Sequence, residues 1–484
     1  MDVLDGVESL AEKSLLRQEQ TADGDAWYLM LETVREFAQE RLEESGETDA
    51  VHRRQILAAL ALAEDAESKL YGPEQLALFP RLEREHDNIR TALERSELSG
   101  YAAPGLRIAV ALWWFWSAHG HVSEGRERFA SLLTRFPLPL PTARPEDLPL
   151  PVRNRADLQA KALYGAGMMA SIQGDHGSAR TLLEQGLALR RALDDRLGMF
   201  TALEGLGTAA CFQGDYDAAR RYFEEGVEVA RSLGDRVYGQ ALHAMGNLHF
   251  EVGELEQARS LYATALTTYV DSADPRAVAA ACISLAAVAQ EQDRYDDAHA
   301  LAAEAVERFR GAGDPRQEAL SYATLGGIAV ARGDLAEARE CLRQSIVMHQ
   351  QINDASGVAM VLERLVGLVM AEGQPETAIR LAASASALRE LTGSRLPQMG
   401  RAKLEAVLAP ARQALSEAAT ERAWQEGWAF DVEQAIAAAL ALTEPPPAQP
   451  TAPSPPPDFI ARPQPTADAQ SKADVSALTA RELE

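Results

Sequence analysis

This chain is short of cysteine, of lysine and of long apolar stretches, and each shortage removes a class of protein. Its three cysteines, Cys211, Cys282 and Cys341, lie far apart among 484 residues. They form neither the dense framework of a disulfide-stapled domain nor a clustered metal set, and read as small core residues in a reducing compartment. The five lysines are Lys13, Lys69, Lys161, Lys403 and Lys472. None follows a glycine, so no phosphate-cradling P-loop is present. Neither Gly-x-Ser-x-Gly nor His-Glu-x-x-His occurs, which argues against a hydrolase or a metalloprotease. No apolar run approaches the length of a membrane span, and the N-terminus lacks a basic-then-apolar leader. A cytoplasmic protein with no membrane partner is expected. Basic residues are also outnumbered, 47 to 72, for a net charge of −25. Such a surface repels nucleic acid unless a local basic element intervenes.

What the chain does have is a beat of forty residues. Gly174-Asp175, Gly214-Asp215, Gly253-Glu254, Asp293-Arg294, Gly333-Asp334 and Gly373-Gln374 are spaced by 40, 39, 40, 40 and 40 residues. Five residues after each anchor stands an alanine: Ala179, Ala219, Ala258, Ala298, Ala338 and Ala378. Seven residues before it stand Gly167, Gly207, Gly246, Ala286, Gly326 and Val366. A fixed period of this length marks a stacked array of helix pairs. Each half-unit carries apolar residues at helical spacing, such as Leu242, Met245 and Leu248, then Leu261, Tyr262 and Leu266. The small residues let the two helices of a unit cross closely. The anchor glycine supplies the left-handed stop, and Asp195, Asp235, Asp274, Asp314 and Asp354 are placed to cap the next helix. Ala286 and Val366 make the fourth and sixth units look weaker.

Upstream, residues 1–46 read helix, hairpin, helix. Ser14–Arg17 and Trp27–Met30 are short strands about a Thr21–Asp25 turn, and Leu31 opens the second helix. This is the latter part of a winged helix. Through Glu47 it holds four basic residues against thirteen acids, so it is expected to pack and not to bind DNA. Residues 47–136 form a helical region. Its last pair, Leu106–Trp116 and Ser123–Leu133 about Gly120, is a divergent repeat. His86 on a helix surface reads as a solvated or capping group. His119 and His121 flank Gly120, and two histidines without a third ligand are weak evidence for zinc. Residues 137–151 are a proline-rich insertion, 152–390 the six repeats, and 391–442 a helical pair capping the array. Residues 443–476, with ten prolines, are a disordered linker.

The repeats resemble the tetratricopeptide repeat in their small-residue positions, turn and alanine, with units about six residues longer than the usual thirty-four. The expected fold is all-α: a right-handed superhelix of antiparallel helix pairs, preceded by the partial winged helix with its small β-hairpin. Leu31-Glu32-Thr33-Val34-Arg35-Glu36-Phe37-Ala38 and Glu83-Arg84-Glu85-His86-Asp87-Asn88-Ile89-Arg90 resemble large bacterial regulatory ATPases. In that family an NB-ARC-like nucleotide-binding domain precedes the winged helix. Leu478-Thr479-Ala480-Arg481-Glu482-Leu483-Glu484 (residues 477–484) resembles the opening of a LuxR-type helix-turn-helix. The resemblance implies the sensor and coupling region of a LuxR-type regulator, without its nucleotide-binding domain and most of its DNA-binding domain. DNA contact would come only through that missing helix-turn-helix.

By the family's register, Tyr164, Met168, Glu204, Thr208, His243, Asn247 and Phe250 face the concave groove. There they would meet a protein or peptide partner or a small effector. No catalytic group, metal or cofactor is expected. A second reading is a free-standing tetratricopeptide scaffold with no transcriptional role.

Overall fold

A computed structural model of the chain describes residues 3–444 apart from 21–25, 71–73, 99, 138–147, 393, 395 and 397. Helices dominate the described residues, with one two-stranded sheet near the start. That beginning comprises α1 (Val3–Glu12), β1 (Leu16–Gln20), β2 (Ala26–Met30) and α2 (Glu32–Ser45). The strands are antiparallel, with Leu16 opposite Met30 and Gln20 opposite Ala26. The first strand therefore starts two residues later than the pattern suggested, and the expected turn lies outside the described residues. No residue of α2 is buried, and Phe37 is 60% exposed. The packing role expected of this segment is not exercised by α2 within the described chain.

Four helices follow: α3 (Thr48–Glu67), α4 (Gln75–Leu98), α5 (Ala102–Ala118) and α6 (Val122–Arg135). They share one core around Leu82, Leu106, Phe115, Trp116 and Phe129, all fully buried. Trp113 and Trp114 are half-buried at its edge. Then comes α7 (Leu150–Ile172), which begins inside the expected proline-rich insertion. Pro151 sits in its first turn, where a missing N–H leaves no helical bond unmade. Most of that insertion, residues 138–147, lies outside the described residues.

The array proper is a tetratricopeptide-like stack of antiparallel helix pairs. Its first-position helices are α7, α9 (Arg196–Gln213), α11 (Asp235–Glu251), α13 (Pro275–Glu291), α15 (Pro315–Arg332) and α17 (Ala355–Ala371). Each is followed by a partner: α8 (His176–Ala192), α10 (Tyr216–Ala230), α12 (Leu255–Asp271), α14 (Tyr295–Gly311), α16 (Leu335–Gln351) and α18 (Pro375–Thr392). All six anchors have positive φ, from 58° at Asp293 to 81° at Gly333. Asp293 shows that a short polar side chain can replace glycine at this stop. Asp195, Asp274, Asp314 and Asp354 each accept a hydrogen bond from the amide three residues on. Asp235 does not. There the preceding helix ends early, Gly234 takes the cap position at φ 94°, and Asp235 is already helical.

The crossing within each unit depends on paired volumes. A methyl group on Gly207 would stand 2.5 Å from the Phe223 ring, and one on Gly246 would stand 2.6 Å from Tyr262. Gly167 receives Leu183 and Gly326 receives Leu342 in the same way. In every case the large side chain lies sixteen residues after the glycine. Where the first position is Ala286 or Val366, the residue sixteen later is Ala302 or Ala382, and all four are buried. The fourth and sixth units are therefore not weaker copies. They divide the same space differently, as close packing demands.

Beyond the array the expected helical pair is three helices, α19 (Gln398–Ala414), α20 (Glu417–Trp428) and α21 (Val432–Thr443). The break before α21 is made by Asp431 and Gln434, which form a reciprocal capping box. α20 lies along α18, where any side chain on Gly427 would run into the Arg380 carbonyl oxygen. The linker and the helix-turn-helix-like end, residues 445–484, lie outside the described residues. Among the described residues no helix is long and apolar enough to cross a membrane.

The volume pairing makes a direct prediction. Gly207→Ala should destabilise the protein by about 1–3 kcal/mol through overpacking against Phe223. Combined with Phe223→Ala, which imitates the Ala286–Ala302 pair, it should cost less than the two single changes added together. Thermal unfolding of the four proteins followed by circular dichroism measures this, and strict additivity would contradict the pairing.

Candidate functional site

The curvature of the array gathers one face of its first-position helices around a groove. Residues at equal places in successive units stand side by side there. Glu204 and Thr208 occupy two adjoining turns of α9; on α11 Asn247 takes the place of Thr208 one unit on, and Phe250 lies one turn further, at the place of Cys211. These four expected residues, with Phe212 and Glu251, line a cavity of about 260 Å³. The other three expected residues lie outside it. Tyr164 lines a separate cavity of about 400 Å³ between α7 and α9, where its ring meets Trp113 edge-on. Met168 fills the contact between the same helices, beside Gly205. His243 belongs to the groove wall: its Nε2 lies 2.7 Å from Ser284 Oγ, and its ring meets Tyr262 edge-on.

Within the 260 Å³ cavity the polar groups differ in how far they are already committed. The Tyr262 hydroxyl donates to Asn247 Oδ1 at 2.8 Å. That bond sets the amide's orientation and leaves its N–H groups for another acceptor. Among the described residues no cation offsets the desolvation of Glu204, and burial pushes its carboxyl up to about 7. His243, also penalised by burial, is held down at about 4 and is neutral at physiological pH. Burial raises the Glu251 carboxyl as well, opposed by the positive charge of Lys403. Cys211 also lines the cavity, and burial pushes its thiol up to about 12, so it is a poor nucleophile. The site can accept hydrogen bonds and hold a cation against apolar rings. It offers no nucleophile paired with a base.

Three contributors were missed in the sequence. Glu251 and Glu291 stand one period apart on the inward face, a repeat of acids that the forty-residue register could have revealed. Lys403 on α19 could not be foreseen. It pairs with Glu291 at 2.6 Å, 112 residues away, and stands over the Phe250 ring at 5.8 Å. The groove is thus partly bridged by the chain's own C-terminal region. On the far side, Arg316 of α15 lies 5.5 Å over Trp114 of α5.

The expected surface position of His86 is corrected. It is only 6% exposed, and its ring stacks on His121 with centroids 4.1 Å apart. Folding α4 against the turn between α5 and α6 brings together groups separated by more than thirty residues. No local pattern reports such a contact.

The tetratricopeptide repeat family model matches residues 158–232, 198–271 and 277–351. Proteins provisionally named helix-turn-helix-type transcriptional regulators in Mycobacterium tuberculosis and Mycobacterium bovis are 34% identical over 204 residues. That match covers 42% of this chain, and the chain spans only 22% of the length of those relatives. Among solved structures, a Signal Transduction ATPase with Numerous Domains from Pyrococcus horikoshii, with a tetratricopeptide repeat sensor, is 15% identical. It covers 84% of this chain and 60% of its own, with a TM-score of 0.42. Aspartyl phosphate phosphatase F from Bacillus subtilis is 13% identical, covering 69% of this chain and 92% of its own, with a TM-score of 0.44.

Glu204 should leave a signature in stability. Its folded-state pKa lies above the unfolded value, so its contribution is fully present at low pH and is lost as pH rises through about 7. Glu204→Gln cannot ionise. Its melting temperature should exceed that of the unaltered chain at pH 8, with the gap narrowing toward pH 5. An equal gap at both values would contradict an unpaired, burial-raised carboxyl.

Proposed function

We propose that this chain is the non-catalytic sensor and coupling region of a LuxR-type transcriptional regulator, and that its repeat groove binds a peptide or a small effector. The observation that carries the reading is the cavity between α9 and α11. It combines an unpaired carboxyl at Glu204 with an oriented amide at Asn247 and the rings of Phe212 and Phe250. A buried acid without a counter-ion lowers stability, and a cationic ligand would offset that cost. The chemistry selected is a positive group opposite Glu204 joined to an apolar part over the two rings. The acidic surface of the whole chain would steer such a ligand inward.

The transcriptional part of the reading rests on the partial similarity to helix-turn-helix-type regulators and on the resemblances at Leu31–Ala38 and Leu478–Glu484. In this reading α19 serves as coupler. A ligand seated on Phe250 competes with Lys403 for the same ring, so occupancy of the groove bears on the position of α19.

A peptide array varying in basic and apolar content would supply a probe. The strongest binder, retested in solution by fluorescence anisotropy, should be a basic–apolar peptide. Glu204→Gln should weaken it at least about tenfold, as expected for a lost charge-assisted hydrogen bond. Phe250→Ala should weaken it similarly. Binding should also fall as pH drops from 8 to 6 and Glu204 takes up its proton. Binders that ignore both substitutions would place recognition elsewhere and overturn this reading.

A further inference from the structure

A second cluster of chemically active side chains lies outside the groove, where α4 meets the turn between α5 and α6. Glu83 and His86 are three residues apart on one face of α4. His119 and His121 come from the turn, and Glu124 comes from the first turn of α6. The Glu83 carboxylate contacts His119 Nδ1 and His121 Nε2, both at 3.1 Å. His86 Nε2 is 3.6 Å from Glu124 Oε2. The potential ligand atoms of His86, His121 and Glu124 all lie within 4.8 Å of one another.

The burial pattern distinguishes this cluster from an exposed patch of acids. His86 is 6% exposed, the His119 side chain 2%, and the Glu124 side chain 20%. Phe79 and Phe115 wall off His119. Two imidazole rings stack face to face with carboxylates on either side. Stacked imidazoles gain little from one another and repel when both are protonated, whereas neutral imidazoles beside carboxylates are ready-made metal donors. Donors about a tetrahedral ion at ordinary bond lengths stand roughly 3.4 Å apart. The donor atoms of His86, His121 and Glu124 lie within 4.8 Å of one another, and Glu83 adjoins them through His121 at 3.1 Å. Arg90 already grips both oxygens of Glu124, with Nε 3.0 Å from Oε1 and Nη2 3.1 Å from Oε2. An ion beside His86 would share Oε2 with the guanidinium and leave Oε1 to it. His119 fits as an outer group: it bonds Glu83 through Nδ1, the arrangement by which a neighbouring partner orients a metal-binding side chain.

We propose that Glu83, His86, His121 and Glu124 form a site for a divalent transition-metal ion of the zinc class, with His119 positioning Glu83. The ion would clip α4 to the α5–α6 turn. That turn also carries Gly120, where an added side chain would meet the backbone of Thr392 at the end of α18. The clip would therefore stiffen the place where the N-terminal helices touch the far end of the array.

Calorimetric titration of the chelator-stripped full chain with zinc chloride tests this directly. One ion per chain should bind, raising the melting temperature. His121→Gln and Glu124→Gln should each weaken binding at least about tenfold while helical content is retained. His249→Gln, altering the separate His249–Glu254 pair, should change nothing. Cobalt substitution should give the intense visible absorption of a tetrahedral site, lost in His121→Gln. If the unaltered chain takes up no zinc, or His121→Gln binds it equally well, the proposal fails.

Discussion

The close crossing of two helices inside each forty-residue unit is the constraint on which the rest of this structure depends. It needs a small residue seven places before the turn and a side chain of complementary volume sixteen places later. Gly207 with Phe223, Gly246 with Tyr262 and Val366 with Ala382 are alternative ways of filling one space. Because interiors pack at near-crystalline density, these pairs fix the separation of the two helices, and repetition of that separation sets the curvature. Curvature in turn decides which faces look inward. A loosened crossing would be felt in the groove, even where no groove residue had changed.

The inward face carries the chemistry. Its helices bring Glu204, Thr208, Asn247 and Phe250 to one cavity, and the same curvature brings Lys403 back over Phe250 and onto Glu291. Ion pairs along the outside add order more than energy. Arg180 with Asp215, or Arg236 with Asp274, joins one unit to the next at distances of 2.7–2.9 Å, yet the arginine of each pair is exposed and the pair contributes little. Arg316 with Asp354 is different, for the Asp354 carboxylate is 2% exposed. Burial works to raise its pKa, and Arg316, His349 and the Gly357 amide together more than reverse that. It locks the last full unit onto its neighbour.

Much of this was legible from residue order, because the repeat reports on itself. The anchors, the helix spans and most of the aspartate caps follow from local chemistry, while Glu204 and Asn247, placed by the family's register, line one cavity. Asp235 departed because its preceding helix ends early, at 15 residues where its counterparts have 17, a difference that a repeating pattern hides. The three-helix end was read as a pair because Ala418–Leu442 is apolar-periodic throughout, and only the Asp431 capping box interrupts it. What could not be read were contacts between distant segments. Lys403 on Phe250, Arg316 on Trp114, and His86 against His121 each join parts of the chain that no spacing rule connects. The histidine cluster shows the cost of reading locally: three unremarkable positions become one cluster only after α4 folds against the α5–α6 turn.

The central claim is that the inner face of the array, and not its outer face, receives the partner. Site-specific photo-crosslinking tests it most directly. A photoreactive amino acid would be placed at Thr208, inside the groove, and in a second protein at Gln257, exposed on α12. Irradiation with a basic–apolar peptide selected for binding should give a covalent adduct from Thr208 and none from Gln257. An adduct from Gln257 alone would contradict the account and assign recognition to the convex side.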